Sequence, residues 1–258
     1  MKNFEFYRFS GVQAKDVELR IANVSGKEIA LKLEALKVRL NILPLILLEK
    51  SLSTYVEIAG GEIEAIVNMS GKNIDVELEA EEISLKKLPL LQEYTGMPLN
   101  GKLSTQVEMQ WRQTLSKSIG EIQFTLTKGA LGPGSVQGFS VPALNLGDIE
   151  LNMTISKGQF DLKSFKQSGG ELSARLHLSS ELRPKLLMSS LDACGEFKLN
   201  QDFLDKNPNL KTALQLAEVQ LKKDSNQYIH AAFRGTFSRP RLRRQVLCSD
   251  SNKSKKKK

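Results

Sequence analysis

The chain repeats one short segment, and this repeat constrains the fold more than any other feature of the sequence. Residues 26–35 read GKEIALKLEA and residues 71–80 read GKNIDVELEA, with apolar and polar residues in the same order. The likeness continues downstream, where residues 38–45 and 83–90 each end in Leu-Pro-Leu. A repeat spaced in this way indicates one supersecondary unit that is used twice.

Each copy alternates strictly between apolar and polar residues, which is typical of a β-strand with one dry face and one wet face. A third segment extends the unit, because residues 61–69, 101–109 and 170–178 each begin with glycine and then alternate in the same way. The unit is therefore predicted to contain two strands, an apolar link and a strand opened by glycine. The proline in each link supports this reading, since proline cannot donate a hydrogen bond to a strand ladder.

About a dozen alternating segments fill the sequence, and aromatic residues are few. Only residues 202–216 favour a longer helix, which Pro208 divides. The sequence predicts a mainly β fold: an elongated, curved antiparallel sheet of repeated strand units with few short helices. Residues 1–240 are expected to form a single all-β domain, with a candidate seam at residues 129–147, where glycine and proline concentrate.

The net charge of +8 comes from the end of the chain. Residues 239–258 contain nine Lys or Arg and one Asp, whereas residues 1–238 contain 28 basic and 28 acidic residues. The neutral body is not typical of a nucleic-acid-binding protein. Residues 241–258 are predicted to be a disordered basic tail, which is either merely solubilising or able to touch anionic lipid or acidic protein.

No pattern of residues predicts catalysis, a metal site or a cofactor. Cys194 and Cys248 have no CxxC spacing, and no disulfide framework can be read from them. His177 and His230 each lie between two apolar residues, so both are expected on the wet face of a strand, in contact with solvent. The sequence therefore predicts a protein that is not an enzyme.

A sheet with one apolar face must cover that face. Without a layer of helices, the sheet can curl on itself, stack as a sandwich or leave a groove for an apolar ligand. The many aliphatic side chains along the dry face would suit acyl chains. The predicted lipid-groove residues are Ile29, Leu31, Leu33, Ile74, Val76, Leu78, Val107, Met109, Leu176 and Leu178.

An ordered set of short motifs runs through the second half of the chain. The motifs are Leu131-Gly132-Pro133, GFSVPAL at 138–144, LGDIEL at 146–151, Gly158-Gln159-Phe160, SGGEL at 168–172, Leu182, Ser189-Ser190-Leu191, Tyr228 and FRGTFSRP at 233–240. In this order they resemble the GspN family of type II secretion system proteins, in its diverged form from deltaproteobacteria and spirochaetes. The likeness covers roughly residues 10–240.

The resemblance implies a build similar to AsmA-like envelope proteins, whose repeated strands form a U-shaped β groove. It implies an accessory component of type II protein secretion that contacts other subunits of the machinery. The alternative is a periplasmic lipid-binding or lipid-transfer module of AsmA-like type that works independently of secretion.

The resemblance also implies a location at the periplasmic face of the inner membrane, held by an N-terminal anchor. No segment of this sequence reaches the ~18–20 apolar residues of a membrane span, and no signal peptide is visible. The anchor is therefore expected either upstream of Met1 or not at all in this member.

Overall fold

The computed structural model is dominated by antiparallel strands, as the alternation predicts. It describes residues 4–7, 10–22, 28–41, 50–88, 97–136, 139–218 and 221–248. The strands are β1 Phe4–Tyr7, β2 Gly11–Ala22, β3 Glu28–Asn41, β4 Lys50–Ile58, β5 Gly61–Ser70, β6 Asn73–Ser84, β7 Leu99–Trp111, β8 Ile119–Leu131, β9 Gly134–Val136, β10 Phe139–Val141, β11 Leu144–Ser156, β12 Gln159–Ser168, β13 Leu172–Glu181, β14 Ser190–Leu199, β15 Lys222–Lys223, β16 Ile229–Thr236 and β17 Arg239–Arg243.

All strands except β9 and β10 belong to one open, curved sheet of 15 strands. From β1 to β8 each strand pairs with the next one along the chain, and the order resumes with β11, β12, β13, β14 and β16. Strands β15 and β17 both pair with β16. The predicted mainly β, curved, antiparallel sheet is confirmed.

The glycine- and proline-rich stretch at residues 129–147 does not interrupt this sheet. Strands β9 and β10 form a separate two-stranded hairpin. The strands that precede and follow this hairpin in the sequence, β8 and β11, pair directly with each other. The hairpin is thus an insertion between two neighbouring strands.

The repeated segments occupy equivalent strands, β3 and β6, but one prediction about them is wrong. The first two strands predicted for the unit correspond to residues 29–33 and 38–40 in the first copy. In the structure they form one continuous strand, as they do in the second copy. Each strand contains a β-bulge, between Leu33 and Ala35 in β3 and between Ala80 and Ile83 in β6. Glu82 adopts a left-handed conformation with φ 56°, so Ala80 and Ile83 can both pack on the apolar side of the sheet.

The two α-helices among the described residues lie near the C-terminal end. Helix α1 spans Gln201–Lys206 and α2 spans Pro208–Glu218, so the predicted division at Pro208 is confirmed. Asn200 caps α1, because its side chain accepts a hydrogen bond from the Asp202 N–H. Phe203 of α1 packs against Leu144 and Leu146 of β11. The helices therefore cover the sheet at the start of β11.

The prediction of a disordered tail from residue 241 onward is wrong for residues 241–248. Arg239–Arg243 form β17, which pairs with β16. Cys248 forms a disulfide with Cys194 of β14, at a Cα–Cα distance of 5.5 Å. Backbone pairing and the covalent link together offset the repulsion between the basic residues. Residues 249–258 lie outside the described residues.

No helix in the described part of the chain is long and apolar enough to cross a membrane.

Candidate functional site

The cross-strand register gathers the apolar side chains of β3 to β12 into three parallel rows on one side of the sheet. We call this side the apolar face. The upper row is Leu36, Val56, Ile63, Ala80, Thr105, Phe124, Leu151 and Phe165; the middle row is Val38, Thr54, Ala65, Leu78, Val107, Ile122, Met153 and Leu162; the lower row is Leu40, Leu52, Val67, Val76, Met109, Gly120, Ile155 and Phe160.

Each row crosses eight strands, and neighbouring strands lie about 4.8 Å apart, so the face is roughly 34 Å wide. Only threonine hydroxyls interrupt the apolar character of the three rows. The face is thus wide and chemically uniform, and it carries no charged side chain within the rows.

The structure places the predicted groove residues on this side of the sheet, with the exception of Ile29. Ile74, Val76, Leu78, Val107 and Met109 are direct cross-strand neighbours within β6 and β7 or lie beside them. Leu31, Leu33 and Leu78 belong to one packed cluster, in which Leu33 is only 4% exposed. Leu176 and Leu178 lie on the same face of β13 as Ser180. Because Ser180 pairs with Phe160 of the lower row, this is the apolar face. Ile29 pairs with Ile21, and its side chain lies outside the described residues.

Much of the apolar face has no second layer over it among the described residues. Helices α1 and α2 pack at one end, and every strand other than β9 and β10 belongs to the same open sheet, so no second sheet of comparable size stacks on it. Val107 and Ile122 at its centre are half-buried, and Leu40, Met69 and Leu176 keep 36–41% of their surface exposed. An apolar face left open in this way can receive an apolar ligand.

The opposite side of the sheet, which we call the polar face, is rich in carboxylates. Glu77 pairs with Glu108, and Glu108 pairs with Glu121, so like charges lie directly opposite each other. The single O–H of Tyr55 is shared between the carboxylates of Glu62 and Glu57, at 2.9 and 3.0 Å, and this hydrogen bonding raises the pKa of Tyr55. Glu77 and Glu79 alternate with Val76 and Leu78 and lie on this polar face. None of these groups forms a nucleophile–base pair.

His230 is on the polar face, as expected, but it is not in contact with solvent. Its side chain is 4% exposed, and its Nδ1 accepts a hydrogen bond from the backbone N–H of Cys248 at 3.2 Å. The expectation of a solvated His230 is therefore wrong, because the segment that leads to Cys248 covers it. No local pattern in the sequence predicts this contact, since the two residues are 18 positions apart in the chain. His177 is half-buried on the polar face.

His230 also faces the carboxylate of Asp224, with 3.5 Å between Nε2 and Oδ2. Burial acts to raise the pKa of Asp224, but the backbone N–H groups of Tyr228 and Asn226, together with His230, lower it overall. Asp224 Oδ1 accepts both backbone bonds at 2.9 Å. This carboxylate stabilises the turn before β16 rather than serving as a base.

Glu196, His230 and Cys248 bring potential metal-ligand atoms within 4.8 Å of one another. The sulfur of Cys248 is bonded to Cys194, however, and a disulfide sulfur does not replace a thiolate as a metal ligand. The trio is therefore a structural cluster in the oxidised protein.

No family model matches this chain, and neither a curated protein nor a solved structure does. The resemblance to the GspN family thus stays a prediction from the sequence motifs.

Proposed function

We propose that the protein binds the acyl chains of envelope lipids on its apolar face, without enzymatic chemistry. The observation that carries this proposal is the set of three apolar rows, most of whose side chains are only half-buried, with no second sheet stacked on them among the described residues. A scaffold that acted only through protein contacts would be expected to fill this face with its own side chains. A role in type II secretion stays a prediction that depends on the sequence resemblance.

The dimensions of the face support a lipid ligand. The hydrocarbon core of a bilayer is about 30 Å thick, so one leaflet contributes chains of about 15 Å. A face about 34 Å wide can hold such chains across several strands. Each square ångström of apolar surface that a ligand removes from water contributes about 25 cal/mol. Binding therefore requires no polar group at the centre of the face.

The disulfide supports a location outside the cytosol. Disulfides form and persist in oxidising compartments, which include the bacterial periplasm. The Cys194–Cys248 bond is therefore consistent with the proposed periplasmic placement, where envelope lipids are accessible.

Lipid binding can be tested with one substitution at the centre of the face and its matched control. Val107 lies between Leu78 and Ile122 in the middle row, and the adjacent residue Gln106 is exposed on the polar face. We expect Val107→Lys to weaken binding of a fluorescent fatty acid by at least about tenfold, because the ligand would have to desolvate an ammonium group. Gln106→Lys should bind like the unmodified protein.

Native mass spectrometry of the purified chain should also show bound phospholipid. Circular dichroism checks that both variants fold, and Val107→Thr provides a milder change of the same site if the lysine variant does not. Equal fatty-acid binding by folded Val107→Lys, Gln106→Lys and unmodified protein would exclude the apolar face as the lipid site.

A further inference from the structure

Two segments meet at the C-terminal edge of the sheet and form what we call the C-terminal corner. The first is the loop of residues 182–189 between β13 and β14, and the second is the turn and strand of residues 237–243. Backbone hydrogen bonds join them, from Ser238 N–H to the Leu187 carbonyl at 3.0 Å and from Phe237 N–H to the Ser189 carbonyl at 3.3 Å. The corner is therefore one surface built from two parts of the chain.

Large apolar side chains project from this corner into solvent. Leu187 is 68% exposed, Met188 is 48% exposed and Phe237 is 39% exposed. Single exposed apolar residues are ordinary on protein surfaces, but a group of them at loop tips marks a contact surface. The backbone hydrogen bonds hold the segments that carry these three side chains next to each other.

Arginines lie at the same corner. Arg239, Arg241 and Arg243 alternate along β17, so they point to one side of the sheet, and Arg241 pairs with Arg234 of β16. These four arginines line a cleft of about 810 Å³ together with Met188, Thr236 and Ser238. The cleft thus contains one of the exposed apolar side chains, Met188, beside several cationic hydrogen-bond donors.

Most of this positive charge is not neutralised by the protein. Arg234 forms an ion pair with Asp192, at 3.2 Å. Arg239, Arg241 and Arg243 form no ion pair with any carboxylate of the described residues. Guanidinium groups bind phosphate through paired hydrogen bonds, so these three side chains are free to take an anionic ligand.

Protection of the sheet edge explains only part of this arrangement. Charged residues and proline on an edge strand prevent pairing with other chains, and β17 carries both. Edge protection does not require the exposed Leu187, Met188 and Phe237 beside the arginines, since apolar tips would promote association in water. Cationic side chains next to exposed apolar ones are the combination that the surface of an anionic bilayer accommodates.

We propose that the C-terminal corner docks on the surface of a bilayer containing anionic phospholipid. The arginines of the cleft bind lipid phosphate groups, and Leu187, Met188 and Phe237 enter the headgroup region. The sequence after Cys248 contains five lysines, and the proposed docking does not depend on them. The purpose of docking, to bring the apolar face to its lipid, rests on the proposed function, although docking itself can be measured separately.

Flotation with vesicles tests the proposal on the full chain. We expect the protein to float with phosphatidylcholine vesicles that contain phosphatidylglycerol, and to float at least about tenfold less with phosphatidylcholine alone. The triple change Arg239→Glu, Arg241→Glu, Arg243→Glu should reduce flotation at least about tenfold. Lys32→Glu, Lys72→Glu, Lys86→Glu changes the net charge equally at remote exposed positions and should retain most of the binding.

The apolar part of the corner needs its own variant. We expect Leu187→Ser, Met188→Ser to reduce flotation, whereas Ile119→Ser, at an apolar residue that is 50% exposed elsewhere, should not. A chain that ends at Cys248 should still float, because the cleft is intact. Loss of flotation in that chain, with retention in the arginine variant, would assign binding to the lysines and overturn the proposal.

Two further outcomes would also overturn it. Equal losses in the arginine and lysine triple variants would mean that net charge alone governs binding. Complete release of the protein from vesicles by millimolar inorganic phosphate would indicate a site for a phosphate ion rather than for a bilayer. Val107→Lys separates the two proposals, because this variant should lose fatty-acid binding and still float.

Discussion

At the scale of single residues, strict alternation was enough to predict which side chains share the apolar face. Val76, Leu78, Val107 and Met109 could be placed together because each occupies the same parity in its strand. The environment of His230 could not be predicted in this way. It depends on Cys248, a residue that local periodicity does not connect to β16. Contacts made by an irregular segment have no period, and sequence patterns therefore miss them.

The Cys194–Cys248 disulfide should contribute strongly to the stability of the folded protein. Cys194 and Cys248 are 54 residues apart. A link across a loop of this size lowers the conformational entropy of the unfolded chain, which stabilises the folded state by about 4 kcal/mol. We expect Cys248→Ser to lower the free energy of unfolding by about 2–4 kcal/mol in urea titration. The control Ser225→Ala, in an exposed turn, should change it little. Equal stability of Cys248→Ser and the unmodified protein under oxidising conditions would contradict this expectation.

At the scale of elements, the strands were predictable and their irregularities were not. The sequence predicts the alternating segments of β3 and β6, but not the bulges within these strands, and the bulge in β6 depends on a residue with an unusual conformation. Glu82 and Lys128 adopt positive φ although they are not glycine. Their residue types do not predict a positive φ. The packing of apolar residues on one face of the sheet overrides the local backbone preference.

Gly147 shows how tightly one such irregularity is built. It adopts φ +74° in β11, and a Cβ there would lie 2.2 Å from the carbonyl oxygen of Ser168. We expect Gly147→Ala to lower the free energy of unfolding by about 2–4 kcal/mol, since both the conformation and the close approach oppose a side chain. Gly71 has φ +58° but no atom within 4 Å of its Cβ position.

Gly71→Ala is therefore the matched control, which keeps the backbone strain and removes the steric clash. It should cost about 1 kcal/mol. Thermal or urea unfolding of both variants measures the difference. Similar losses in the two variants would show that the contact with Ser168 does not matter.

At the scale of the whole molecule, the fold class followed from the sequence because one short unit recurs along it. The apolar rows follow from the same pattern. The C-terminal corner does not, since it joins a loop after β13 to the turn before β17, and neither segment alternates in a way that predicts its neighbour. The ordered start of the tail was missed because a run of basic residues reads as disorder when its pairing partner is unknown.

A sheet in which most strands contact only their two neighbours should lose structure locally. Leu33 is 4% exposed and packs with Ile58 and Ile83 in the N-terminal half. We expect Leu33→Ala to increase hydrogen exchange in β2 to β6, while exchange in β13 to β16 stays close to that of the unmodified protein. Hydrogen–deuterium exchange with peptide resolution measures this. A uniform increase across all strands would show that the sheet unfolds as one cooperative unit.

The strand order has a consequence for the evolution of the protein's size. Because the sheet grows by adding each strand beside the previous one, duplicating three strands would insert a new block without disturbing the pairing elsewhere. Each added block would lengthen the sheet by about 14 Å, at about 4.8 Å per strand. The number of copies of the unit therefore determines the length of the sheet across its strands.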